Sequence, residues 1–219
     1  MSVREDFINE LSQLKDEILR LGAMVETAFE KTIKSIKTKQ YTILDEIIEN
    51  DKVINDLELT INEKATLLIA RQQPVASDLR KIIVCLKVSS DLERMGDLSV
   101  DMAKAGKRLL NNEFIGLFEK DLIVMAAKTK EMLRDVLKAY CDSDVLEAQK
   151  IAAVDDQIDK AYGEFVQSIF KVAPLEHDSI ENITQLAFIS RYIERIADYC
   201  TNIAEWIIYE VNGKRFDLN

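Results

Sequence analysis

Chain breakers are scarce in this sequence, with six glycines and two prolines spread over 219 residues. So few turn-forming residues leave room mainly for long elements with short connections. Histidine is almost missing: the single copy, His177, cannot supply the Glu-x-x-His motifs that di-iron oxidases place on two helices. Cysteine is low as well. Cys85, Cys141 and Cys200 lie far apart and form no CxxC pair, so they are expected as small core hydrophobes in a reducing compartment. No P-loop, GxSxG elbow or Cys–His pair is present, which removes the common phosphate-cradle and nucleophile chemistries and leaves a non-enzymatic reading in front.

Long apolar runs are lacking too. None approaches the roughly 18 residues of a membrane helix, and the charged start MSVREDFINEL has no apolar secretion core. Positive charge is in deficit: 29 Lys and Arg stand against 39 Asp and Glu, for a net charge of -10. A nucleic-acid partner needs a basic face, so none is expected. The expected location is cytoplasmic. Hydrophobic residues at 47 % and charged residues at 31 % are ordinary globular proportions and argue against disorder.

What is present is helical periodicity. Phe7, Leu11, Leu14, Ile18, Leu21, Val25, Ala28 and Thr32 alternate spacings of four and three, the mark of a helix packed along one seam. This predicts a helix over about 3–38, then others over 41–72 and 75–110, with a linker at 111–116. The second half repeats the plan, with helices from about 117 to 141, across 151–169, and from about 178 to 211. Asp142, Ser143 and Asp144 supply a capping turn, and Pro74 and Pro174 sit at corresponding hairpin tips. An offset of about 104 lays Ile47 on Ile151, Asp51 on Asp155 and Ile54 on Ile158. After the hairpin an offset of about 101 pairs Glu93 with Glu194 and Asp97 with Asp198. The expected fold is all-α, with two tandem pseudo-symmetric three-helix bundles at residues 1–112 and 113–219.

Carboxylates interrupt the apolar stripes at matching places. Asp51/Asn55, Glu93/Asp97, Asp155/Asp159 and Glu194/Asp198 each put two oxygen-bearing side chains on one helix face, four residues apart. In an antiparallel hairpin, Asp51 with Asp97 and Asn55 with Glu93 both centre on Pro74. Asp155 with Asp198 and Asp159 with Glu194 both centre near Glu176 and His177. A quartet is therefore expected in each half. Ionised carboxylates in a seam cost several kcal/mol unless they protonate, pair with Lys or Arg, or hold a cation. Arg94 and Arg195 follow their glutamates by one residue and are expected to lean away, which favours cation binding. All-oxygen donors suit Fe, Mn or Mg, with Zn a further option. Gly96, matched by Ala197, leaves room for the close approach of a ligand or a helix.

The first tip, Arg71 to Lys81, is polar and basic, either as a solvated turn or as a docking or anion site carried by Arg71 and Arg80. The segments RQQPVASDLR (71–80), SSDLERMGDLSVDMAK (89–104) and YIERIADYCTNIAEWII (192–208) resemble the PhoU family of phosphate-signalling proteins, and the likeness spans essentially the whole chain. The resemblance implies two three-helix bundles with multinuclear metal clusters on E(D)xxxD motifs. These fall here on Glu93/Asp97 and Glu194/Asp198, supported by Asp51 and Asp155/Asp159. Asn55 departs from a full carboxylate pair, and Asp101 and Asn202 stand as outer candidates. The implied role is a regulator restraining the phosphate-starvation response, an adaptor between the ATPase of a Pst-type ABC phosphate transporter and a sensor histidine kinase. It would meet the membrane only through those partners, and its long helices permit a homodimer. The alternatives are a carboxylate-bridged di-metal bundle enzyme and a purely structural helical protein.

Overall fold

The periodicity translates into six antiparallel helices in the computed structural model, which describes residues 3–109, 112–172 and 177–218. They are α1 (Val3–Thr38), α2 (Tyr41–Gln72), α3 (Ala76–Lys107), α4 (Asn112–Asp142), α5 (Val145–Val172) and α6 (His177–Asn212). At 1.5 Å per residue the longest are rods of about 54 Å. Pro74 lies between α2 and α3 as expected; Pro174 and Glu176 lie outside the described residues.

Among the described residues, four non-glycine positions make the turns between helices. Lys39, Gln73, Ala76 and Ser143 take left-handed backbone at φ 56°, 45°, 51° and 51°. Gln73 there returns its N–H to the carbonyl of Ile69 at 3.0 Å and closes α2. Asp144 caps α5, its Oδ1 accepting the N–H groups of Leu146 and Glu147 at 2.9 and 3.0 Å. The linker expected at 111–116 is instead helical from Asn112. Phe118 and Leu122 anchor that helix in the core.

Each group of three helices closes on itself, α1 and α2 against α3, and α4 and α5 against α6. The two groups join through α3 against α6 and α1 against α4. One continuous apolar core runs through both, from Phe7, Ile18 and Val25 to Ile196, Ile203 and Ile207. α3 is consequently covered on several sides. Its buried face includes Ile82, Cys85, Val88, Leu92, Met95 and Ser99, while Leu79, Ile83 and Leu86 are only half-buried and Ser90 is exposed. Cys85 and Cys200 are buried as expected, but Cys141 is exposed on the last turn of α4. Among the described residues no helix is long and apolar enough to cross a membrane.

Candidate metal centre

The second seam is built by α5 and α6. Asp155, Asp159 and Asp198 each bring a carboxylate oxygen to within 4.8 Å of the others. Asp155 occupies a core-stripe position between Ile151 and Ile158 and is only 4 % exposed. Its Oδ2 accepts the hydroxyl of Thr201 at 2.9 Å, while its Oδ1 is buried with no hydrogen-bond partner. Glu194, 6 % exposed, pairs one oxygen with Arg191, three residues earlier, and leaves Oε2 buried and unpartnered.

Burial, more than any neighbour, disfavours the charged forms here. It lifts Asp155 to about 6, against the Thr201 hydrogen bond and helped by the Asp198 charge. Glu194 rises to about 7 through burial and then Asp198. Asp198 rises through burial and then Asp159. The three aspartates held this close repel one another as anions, with Glu194 nearby, and two orphaned oxygens point at an unmet demand for a cation.

The first seam, on α2 and α3, is a looser copy. Asp51, Asn55, Glu93 and Asp97 are all half-buried. Asn55 Nδ2 donates to Asp51 Oδ2 at 3.2 Å, leaving Asp51 Oδ1 and Asn55 Oδ1 buried and unpartnered. Burial and then the Asp97 charge raise both Asp51 and Glu93. The expectation that Arg94 leans away is corrected by the structure. Its long side chain folds back, with NH1 at 3.1 Å from Asp97 and Nε at 3.6 Å from Glu93. Each seam thus carries one guanidinium: Arg94 bridges Glu93 and Asp97 in the first, and Arg191 pairs with Glu194 in the second.

The residues therefore fit an oxygen-bound cation well in the second seam and only in part in the first. Sequence reading missed Arg191 and Thr201. Both stand three residues from a seam carboxylate, a spacing that lays them on the same face and flags them in retrospect. Asp101 is turned to Lys104 at 3.1 Å, and Asn202 faces a polar groove with Trp206. At Gly96 the close approach is by a helix, since an added Cβ would lie 3.1 Å from Ile54 Cγ2. In the first tip Arg71 pairs with Glu10 at 2.6 Å, and Arg80 donates to the carbonyl of Glu210 at 3.3 Å.

Comparison with known proteins points one way. The family model described as PhoU domain matches residues 18–106 and again 122–207. The phosphate-specific transport system accessory protein PhoU homolog of Clostridium acetobutylicum is 36% identical over 217 residues, covering 99% of both chains. The accessory protein PhoU of Escherichia coli K12 is 31% identical over 210 residues, 96% of this chain and 87% of that protein. The crystal structure of the phosphate transport system regulatory protein PhoU from Streptococcus pneumoniae superposes with a TM-score of 0.87 at 33% identity, over 96% of this chain and 99% of that one. PhoU from Pseudomonas aeruginosa superposes at 0.86 with 26% identity, over 95% of this chain and 100% of that one.

Proposed function

We infer, from the premise that this chain belongs to the PhoU family, that it is an accessory regulator of a phosphate-specific transport system. The observation carrying this reading is likeness along nearly the entire length, in sequence and in fold, to proteins bearing that name. In this reading the protein is a non-enzymatic cytoplasmic adaptor. It docks on the ATPase of the transporter and on a sensor histidine kinase, and it holds the phosphate-starvation response off while phosphate is plentiful. Deleting its gene should raise phosphate-regulated transcription in phosphate-rich medium, and reporter output unchanged by the deletion would reject the role.

The adaptor carries metal. Asp155, Asp159, Asp198 and Glu194 hold a hard cation, with Fe, Mn or Mg the best match to all-oxygen donors. Asp51, Asn55, Glu93 and Asp97 hold a weaker one. Support comes from three carboxylate oxygens within 4.8 Å beside the unpartnered buried oxygens of Asp155 and Glu194. A bound cation supplies the charge that offsets these anions and ties α5 to α6. Elemental analysis of protein purified without chelator tests this directly. An oxidase or hydrolase assay on the loaded protein separates the adaptor from a di-metal enzyme.

A further inference from the structure

The duplicated fold provides its own internal comparison, and the two repeats differ most usefully on the faces away from the carboxylate seams. Between α1 and α2 lies an open groove of about 450 Å³ floored by Met24, Ile47 and Ile54, with half-exposed Val53 at its edge. Arg20 and Lys31 stand along the same lining. The matching positions between α4 and α5, at the offset of about 104 that aligns the repeats, are quite different. Lys128 replaces Met24 and Gln157 replaces Val53, and Lys128 Nζ donates to Gln157 Oε1 at 3.3 Å. That hydrogen bond ties the second pair of helices together with polar groups. The fold therefore does not require apolar residues at these two places, yet the first repeat has them, partly open to water.

Charge distinguishes the grooves further. Arg20 and Lys31 correspond to Val124 and Asp135. Several basic side chains on the neighbouring faces are engaged by carboxylates: Lys64 with Glu17, Arg71 with Glu10, Lys107 with Asp45 and Arg134 with Glu26. Arg20 and Lys31 make no ion pair among the described residues. They are eleven positions apart on α1, which is about three helical turns and about 16 Å, so they lie on one face at opposite ends of the groove.

We propose that the α1–α2 groove is a docking site for an amphipathic helix of a partner protein, one that carries an acidic residue at each end of its apolar stripe. Apolar side chains at i, i+4 and i+7 of the incoming helix cover Met24, Ile47 and Val53, and its two carboxylates meet Arg20 and Lys31. Charge complementarity in both directions selects the occupant, since the groove is basic on a chain of net charge -10. The proposal rests on the adaptor reading only in requiring that a partner exists; it adds the place and the chemistry of contact.

The test uses the full chain and a fluorescein-labelled synthetic helix with leucines at i, i+4 and i+7 and glutamates about eleven residues apart. Anisotropy should show saturable binding. The variant Met24→Lys with Val53→Gln, which imports residues already used by the second repeat, should weaken it about tenfold or more, as should Arg20→Glu. A peptide with lysines in place of both glutamates should lose at least as much. Unchanged circular dichroism melting keeps the comparison sound. Absence of binding, equal affinity for the lysine peptide, or equal affinity of the variants would overturn the proposal. So would sedimentation showing that Val53→Gln dissolves a self-assembly, because the groove would then belong to a second copy. A null peptide result beside a normal phosphate reporter would remove the groove and leave the adaptor role intact.

Discussion

Thr201 donates its hydroxyl to Oδ2 of Asp155 at 2.9 Å, whereas the matching position in the first repeat is Val100. This one difference explains much of the inequality between the seams. With one oxygen fixed by α6, Asp155 is oriented with its other oxygen toward the shared space. Asp51 lacks that anchor and leans on Asn55 of its own helix.

Replacing Thr201 with valine should therefore loosen the second site without removing a ligand. An outer hydrogen bond of this kind is worth about 10–100-fold in metal affinity. Thr201→Val should weaken binding by that order, and Thr201→Ser should restore most of it. Titration of chelator-stripped protein with Mn(II), followed by calorimetry, reads the difference. Equal affinities for all three proteins would mean that Thr201 only packs.

Removing carboxylates should act on one half at a time. Glu194→Ala with Asp198→Ala should abolish metal in the second seam while leaving the first as it was. The Glu93→Ala and Asp97→Ala pair should do the reverse. Elemental analysis after exhaustive dialysis gives the stoichiometry. Metal content unaffected by either pair would refute the assignment of that seam.

How far the sequence reached depends on what each feature rests on. Core stripes such as Leu14–Ile18–Leu21–Val25 were legible because local periodicity alone buries them. Hairpin register fixes which heights meet, and of the two quartets expected Asp155, Asp159 and Asp198 are the carboxylates that converge within 4.8 Å among the described residues. What stayed hidden depends on packing between repeats or on side-chain reach. α3 packs against α6 as well as α1 and α2, and no single-helix pattern encodes that extra coverage. Arg94 turned back because a flexible stem spans the angle between neighbouring positions, where geometry at Cα said it should diverge. The segment 111–116 reads as a linker in sequence, whereas α4 already begins at Asn112, ahead of the buried Phe118 and Leu122.

Restoring a carboxylate to the weak seam should strengthen it. Asn55→Asp reproduces the acidic set of the other repeat, where Asp159 stands at the same place. It adds an anionic donor but also one more repulsion beside Asp51, only partly offset by Arg94. The apo protein should melt lower than wild type. Its affinity for Mn(II) at the first seam should rise by about tenfold, the scale of one added charged ligand interaction of about 1.4 kcal/mol. An apo variant at least as stable as wild type that binds no more tightly would show that Arg94 closes this seam to cations.

The last expectation concerns pH, and its sign runs opposite to ordinary acid denaturation. Asp155 and Glu194 titrate near 6 and 7 in the folded chain, above their usual 3.8 and 4.5, because burial penalises the anion. A carboxyl raised on folding binds more protons folded than unfolded, so stability falls as pH rises through that window. Below about pH 3 both states are protonated and the full contribution is present; it is lost as pH rises through the folded values and is gone by about pH 8. Metal-free protein should thus lose melting temperature between about pH 5 and about pH 8. Glu194→Gln, which cannot ionise, should flatten that slope, while Mn(II) at the upper end should restore wild type by offsetting the charge. Thermal melts across that range, with and without metal, decide it. A wild-type curve that rises with pH and matches the glutamine variant would mean that these carboxyls are solvated as anions in the folded protein.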